Sequence, residues 1–467
     1  MIRLRFDLPS SLPLAALALW VLTLRATSEP LAQPDAIPGA WRLQDDPLPP
    51  VEAIAARDPG PVPVYGLYTW ANEYKAHRES IRKVGWRSIR MSGPFDDAIM
   101  RMLVEDGVEV LRTVQSARPR AFDSEEAFLA AYRDELTRFL ERYGPGGSFF
   151  SDHPDLPVRP VRVINIWNEP NFQYMIADDP NRPRREVEQE REALYAKLLP
   201  AAYAHVKARW PNVRVIGFSA GGASSGEVRW FQNVHALSPA VAKAYDLVSW
   251  QPYVDPAPPE AHSIRPWGSY SIAGNVAKNR ATLAQYGRAD APVWFTEVGW
   301  PISKADGGFF DTPADRAFVT PLLQAAYVVR TYALAMRLGV ERVFIMFATD
   351  SDRFNGGFFL RDGSWRPSAH AVREMIQRLP NPRLRAALLD GADGTYAWRF
   401  APDRDRPEAP AVVMAWRVAG PKTVELTTNA ARVDGFGMLG APFEVVPENG
   451  RYTVEVGPYP IYLVERP

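Results

Sequence analysis

The chain has 467 residues, 46% of them hydrophobic and 12% aromatic, with 54 Lys and Arg against 54 Asp and Glu. That composition supports a large core and excludes a disordered chain, and the zero formal charge argues against a nucleic-acid or anionic-membrane partner, since neutralising phosphates needs a basic surplus. The absence of cysteine removes disulfides, thiolate nucleophiles, zinc-thiolate sites and iron-sulfur clusters together.

Arg3 and Arg5 precede a mostly apolar run from Leu12 to Leu24, followed by Ala26, Thr27 and Ser28. Charged, apolar and small-residue regions in this order read as a secretory signal over residues 1–28, with an uncleaved membrane anchor as the alternative. As a helix the run rises about 20 Å, short of the roughly 30 Å hydrocarbon core, so a full span is the weaker reading. The expected location is periplasmic or extracellular. Residues 29–60 hold prolines at 30, 34, 38, 47, 49, 50 and 59 without a sustained apolar period, and read as an extended linker.

From Val64 onward, short β-branched or aromatic runs alternate with longer amphipathic stretches, the pattern of repeated β-α units around a parallel sheet. The predicted strands are Val64–Tyr68, Arg87–Met91, Val108–Arg112, Val161–Trp167, Val213–Phe218, Asp246–Trp250, Pro292–Thr296 and Glu341–Phe347. Helix-like segments between them include Glu125–Tyr143, Glu186–Arg209 and Ala314–Leu338. Eight such units predict an α/β fold, a (β/α)8 TIM barrel over residues 61–380, better than an open doubly wound sheet. After Leu379 short alternating runs, Thr395–Ala401, Ala411–Val418, Lys422–Thr428, Phe443–Val446 and Arg451–Val456, are punctuated by turns such as Glu448-Asn449-Gly450. They predict a small all-β sandwich over 381–467, with Ile461–Val464 as a last strand running back along the barrel.

In such a barrel the chemistry sits at the C-terminal strand ends. The fourth strand ends Trp167-Asn168-Glu169-Pro170-Asn171 and the seventh ends Thr296-Glu297-Val298-Gly299-Trp300. Two carboxylates at one rim are what glycosidic cleavage needs, one to protonate the leaving oxygen and one to attack the anomeric carbon.

Asn168-Glu169-Pro170 after strand four, with a second Glu after strand seven, resembles clan A of the retaining glycoside hydrolases. The likeness runs from about Tyr65 to the C-terminus. It takes in Tyr143-Gly144-Pro145-Gly146-Gly147-Ser148-Phe149, Asp362-Gly363-Ser364-Trp365-Arg366-Pro367, and a closing Gly457-Pro458-Tyr459-Pro460 similar to the branch of family 39 and the bacterial exopolysaccharide hydrolases. The resemblance implies Glu169 as general acid/base, Glu297 as nucleophile, and Asn168 as a hydrogen-bonding partner of the sugar 2-hydroxyl. It implies that Arg90 holds Glu297 ionised and that Tyr253 donates to Glu297 or to substrate. Two positions depart from the family: Gln251 stands where His is usual, and Phe347-Ala348-Thr349-Asp350 replaces a run that often carries Trp. Tyr68, Trp70, Trp167, Trp300 and Phe347 are the candidates to stack on sugar faces.

Gly217-Phe218-Ser219-Ala220-Gly221 fits the G-x-S-x-G elbow of serine esterases, with His235, His262 and His370 downstream. An elbow must run into a helix, and Gly221–Gly226 is a poor helix start, so Gly217–Gly226 reads instead as a flexible rim loop. The six histidines show no metal-ligand spacing and no phosphate-cradling glycine loop is present, so neither metal nor cofactor is implied. The expected function is a monomeric retaining hydrolase of a β-linked poly- or oligosaccharide, an exopolysaccharide being one candidate. The alternatives are a transglycosylase using the same residues and a catalytically silent glycan-binding protein.

Overall fold

A computed structural model of the chain describes residues 40–55, 63–222, 225–265, 268–312, 317–351, 354–406 and 408–467. The expected signal segment, residues 1–28, lies outside the described residues. Part of the expected linker is structured: Trp41–Leu43 pairs antiparallel with Ala261–Arg265, and Val51–Ala55 forms a short helix. Leu43, Leu48, Val51 and Ile54 are the reason, since all four pack on the main core and give this proline-rich stretch apolar surface to bury.

Eight parallel strands close a barrel, each followed by a helix. They are β1 (Tyr65–Trp70), β2 (Ser88–Ser92), β3 (Glu109–Val114), β4 (Val163–Ile166), β5 (Arg214–Gly221), β6 (Leu247–Gln251), β7 (Val293–Val298) and β8 (Arg342–Met346). The helices are α1 (Ala71–Val84), α2 (Asp97–Glu105), α3 (Glu125–Tyr143), α4 (Arg184–Arg209), α5 (Ser225–Leu237), α6 (Ile272–Gln285), α7 (Pro321–Arg337) and α8 (Pro367–Arg378). All eight strands fall on the predicted runs. Sequential pairing around the ring, closed by β8 against β1 with Val343 opposite Tyr65, fixes the register that brings the strand ends to one rim.

The barrel interior is layered. Leu111, Val163, Ile216, Leu247, Trp294 and Phe344 form an apolar floor. Above it Thr113, Asn165, Ser219, Ser249 and Thr296, all buried, form a hydroxyl and amide layer: Ser219 Oγ donates to Asn165 Oδ1 (2.8 Å), and Asn165 Nδ2 donates to Thr113 Oγ1 (3.3 Å). A buried polar layer is tolerated because its members satisfy one another, and it carries the charged groups above it on a rigid base.

Of the segment read as a flexible loop, Gly217–Gly221 is instead the end of β5, and α5 begins at Ser225. Phe218 and Ser219 have φ of 80° and 42°, and the β5–β6 register slips by one residue between Phe218 and Ala220. This bulge turns Phe218 outward onto α4 and α5 and Ser219 inward. His235 therefore stacks on Phe218 outside the barrel, at 4.7 Å between ring centroids, on the face opposite the Ser219 hydroxyl, and no esterase dyad forms.

Beyond α8 the chain forms β9 (Arg383–Asp390), β10 (Thr395–Ala401), β11 (Ala411–Arg417), β12 (Lys422–Thr427), β13 (Arg432–Gly437), β14 (Pro442–Val445), β15 (Arg451–Val456) and β16 (Ile461–Arg466). Six of them make one antiparallel sheet in the order β9-β10-β11-β16-β13-β14, and β12 pairs with β15. Alternation explains the stacking. Tyr396, Trp398, Phe400, Met414, Trp416 and Tyr462 join the main core shared with the barrel helices, while Ala397, Val413, Ala415 and Leu463 face Val424, Leu426, Tyr452 and Val454 of the two-stranded sheet. The final strand, expected to run back along the barrel, lies inside the six-stranded sheet between β11 and β13, because its alternating Tyr462 and Leu463 have an apolar layer on each side.

Candidate active site

β4 stops because Trp167 and Glu169 both take left-handed backbone, φ 71° and 46°, a region that costs an L-residue about 1–3 kcal/mol. The turn is held from outside: Glu169 N–H donates to Ser219 O (3.0 Å) and Asn168 N–H to Gln115 Oε1 (2.8 Å). The three side chains of the turn part, one outward and two inward. Trp167 turns outward against Phe128 and Tyr132 of α3 and is fully buried, so it has no face for a sugar and its expected stacking role is corrected. Asn168 and Glu169 turn toward the cleft.

Arg90, on β2 and fully buried, joins the two rim segments. Its Nη1 donates to Glu297 Oε1 (2.6 Å) and to Thr296 O (2.7 Å), and its Nη2 to Asn168 Oδ1 (2.6 Å). Gln251 Nε2 donates to the same Asn168 Oδ1 at 2.7 Å. A guanidinium only donates, so the Asn168 carbonyl must face inward and its Nδ2 is left as a donor at the cleft that Asn168 lines. Gln251, like Arg90, is fully buried and does not line the cleft: Gln251 aligns Asn168, and Arg90 aligns both Asn168 and Glu297. Tyr253 Oη donates to Glu297 Oε2 (2.8 Å), giving that carboxylate a donor on each oxygen.

Glu169 and Glu297 line one cleft of about 1150 Å3, together with Tyr68, Trp70, Phe347, Phe354 and Tyr174. Burial, with the charge of Glu297 adding to it, pushes the Glu169 carboxyl up to about 8, and the Arg90 guanidinium pulls the other way. Trp300 is absent from this wall: its ring packs edge-on to Tyr327 at 5.7 Å, its Nε1 donates to Ala257 O (2.9 Å), and its expected stacking role is likewise corrected.

Residues not anticipated from sequence complete the site. Gln115 follows β3 and would have been found by reading that strand end as the others were read. Asn171 brackets one glycine: its Nδ2 donates to Gly221 O (2.8 Å) and its Oδ1 accepts from Gly221 N–H (2.9 Å). Gly221 is there because the Glu169 carboxyl lies against it; a Cβ at that position would sit 2.1 Å from Glu169 Oε1. Tyr174, 46% exposed, adds an aromatic face to the rim. Among the described residues the one cluster with metal-ligand geometry is Asp45, Asp46 and His262, none of which lines the cleft. His262 Nε2 lies 2.9 Å from Asp46 Oδ2, which ties the N-terminal strand to its partner.

No protein-family profile matches the chain, and no curated protein matches it. Solved structures do. A family 39 glycoside hydrolase from the gut symbiont Bacteroides cellulosilyticus WH2 is similar at a TM-score of 0.63 and 20% identity, over 87% of this chain and 81% of that one. The GH39 enzyme from Xanthomonas axonopodis pv. citri gives 0.53 and 14%, over 95% and 99%. A monomeric β-xylosidase from Caulobacter crescentus CB15 gives 0.53 and 15%, over 87% and 97%. The chain thus has the barrel-plus-β fold of these enzymes.

Proposed function

We propose that the protein is a retaining glycoside hydrolase that cleaves a β-linked glycan by double displacement, with Glu169 as general acid/base and Glu297 as nucleophile. One observation carries the reading: two carboxyl groups share a cleft in opposite environments, Glu169 raised by burial and Glu297 held by donors from Arg90 and Tyr253. In the first step Glu169 gives its proton to the glycosidic oxygen as Glu297 attacks the anomeric carbon and the C–O bond breaks. In the second, Glu169 takes a proton from water, which attacks the same carbon and releases Glu297. The Asn168 Nδ2 donor meets the sugar 2-hydroxyl, and Tyr68, Trp70 and Phe347, which line the cleft, offer stacking faces. Among the described residues no helix is long and apolar enough to cross a membrane. The Arg-flanked apolar segment at residues 1–28 supports export, and a surface or extracellular polysaccharide suits that location. We take the working unit to be the single chain.

The test is product release from a panel of β-linked polysaccharides and aryl glycosides, by the parent and by its Glu297→Gln variant. The expected result is cleavage by the parent with the anomeric configuration retained, and a loss on the order of 10³-fold or more in the variant. Inverted product would undo the nucleophile assignment.

A further inference from the structure

The cleft carries positive charge that the double displacement does not use. Arg112, at the end of β3, and Arg118, in the loop after it, both line the cleft beside Gly93, Phe95 and Ser116. Neither forms an ion pair with a carboxylate among the described residues. Arg112 Nη1 donates to the carbonyls of Met91 (3.2 Å) and Gly93 (2.9 Å), with its guanidinium over the Phe95 ring at 5.5 Å. Arg118 Nη1 donates to Tyr174 O (2.9 Å). Each is therefore oriented through one nitrogen and keeps its Nε and Nη2 donors free of any acid. The nearby Glu135 is committed elsewhere, accepting from Ser116 N–H (2.9 Å) and Ala117 N–H (3.1 Å).

The adjoining cavity of about 410 Å3, which shares Glu169 and Tyr174 with the cleft, shows the contrast. Three of its four arginines, Arg184, Arg185 and Arg191, are neutralised by Glu188, Glu192 and Asp178. Of the acids in the main cleft, Glu297 is paired with Arg90, burial raises Glu169, and Glu73 caps the start of α1, accepting from Thr69 Oγ1 and Trp70 N–H (both 3.2 Å). The wall that holds Arg112 and Arg118 thus carries positive charge, and Arg112 is half-buried, where burial pulls its titration down against the attraction of Glu135.

We infer that the Arg112–Arg118 wall is a subsite for an anionic sugar, and that the glycan this cleft takes carries a carboxylate-bearing residue such as a uronate. A planar guanidinium pairs a carboxylate through two parallel hydrogen bonds, which a neutral hydroxymethyl group cannot offer. The inference rests on the glycoside hydrolase reading for the sugar chain, but its test is binding and does not need turnover.

The full chain carrying Glu169→Gln is titrated at low salt with a β-linked glucuronate oligosaccharide, with the neutral β-linked glucose oligosaccharide of equal length, and with a sulfated form of the latter. The uronate should bind about tenfold or more tighter than the neutral sugar and lose that margin as salt rises. Arg118→Gln, an exposed position that removes no packing, should cut uronate affinity about threefold to tenfold and leave the neutral sugar unchanged. Arg112→Lys, which keeps charge and stem but loses the planar fork, should also weaken the uronate selectively. Equal affinity for uronate and neutral sugar, binding of neither, or an uronate margin indifferent to both variants overturns the inference. Tighter binding of the sulfated sugar than of the uronate overturns the carboxylate assignment. If the parent cleaves no glycan while the uronate preference holds, the hydrolase reading fails and the subsite stands.

Discussion

Glu169 does the first of its two proposed steps only while it holds a proton, and its surroundings set how long that lasts. Its carboxyl is pushed up to about 8 by burial beside Glu297, so kcat/KM should hold through neutral pH and fall about tenfold per unit above that value. A rate profile against pH on an aryl glycoside checks this; a basic limb near pH 5 would mean that Glu169 is not the acid. The seat of that carboxyl is Gly221, whose backbone is fixed on both sides by Asn171. In Gly221→Ala the new methyl would meet Glu169 Oε1 at 2.1 Å, so the carboxyl must move. The expected cost is about 10- to 100-fold in kcat with a shifted basic limb, because misplacing a reacting group by about 1 Å costs that much, while the melting temperature changes little. Steady-state kinetics beside a thermal melt separates the two effects. The requirement also explains the last glycine of the Gly217–Gly221 motif without any nucleophilic serine.

At the scale of elements, the sequence is legible where one physical signal dominates. The barrel strands, buried on both faces, read as near-continuous apolar runs, and α3 keeps its predicted Glu125–Tyr143 bounds because Ser124 caps it, accepting from Ala127 N–H at 3.1 Å. Bulges hide what was missed. The β9 register shifts twice against β10, which breaks its alternation, and β13 contains Gly435, a poor strand residue that survives because the Phe443 ring lies over it. Strand ends carried the two Glu residues but not the direction of Trp167, since left-handed backbone at the turn, not spacing, decides which side chain faces the cleft. Pairing of elements also leaves a titratable group in the wall between α5 and α6. Glu227 is buried there, accepting from Asn279 Nδ2 at 3.1 Å, and burial pushes its carboxyl up to about 8. The folded chain keeps this proton where the unfolded chain has released it. That contribution to stability is fully present below the ordinary carboxylate range and is lost as pH rises through about 8. Glu227→Gln should flatten this loss and stabilise the protein at pH 9 by roughly 1–2 kcal/mol, because the amide keeps the acceptor and never ionises. Melting curves at pH 6 and 9 for parent and variant would show it; an unchanged difference between the two pH values would place the pH dependence elsewhere.

Over the whole described molecule, barrel and C-terminal sheet unfold as one body if their shared core means what it implies. Tyr396, Trp398, Met414 and Trp416 belong to the same buried cluster as Tyr327 and Tyr332 of α7, so removing the sheet would strip an aromatic layer off the barrel. Polar ties cross the same seam. Arg337 Nη2 lies 2.6 Å from Asp390 Oδ2, and the Arg378 guanidinium sits 3.4 Å from the Phe436 ring centroid. At the centre of the seam is Arg330 of α7, fully buried, paired with the fully buried Glu260, and donating through Nη1 to Pro458 O (3.2 Å) in the turn before β16. Two charges taken wholly out of water add little net stability as a pair, yet each is costly once its partner is gone. Arg330→Ala leaves Glu260 buried and uncompensated, with the Pro458 carbonyl short of its donor, and should destabilise by about 3–5 kcal/mol. In a cooperative unit of this size that is a fall of only a few degrees in Tm, and calorimetry should show it as one transition moved down intact. The paired replacement of Arg330 and Glu260 by Met and Gln should recover most of the loss, because no charge is then left without its partner. Two separate transitions, in the parent or in Arg330→Ala, would mean instead that the sheet and the barrel hold their folds independently.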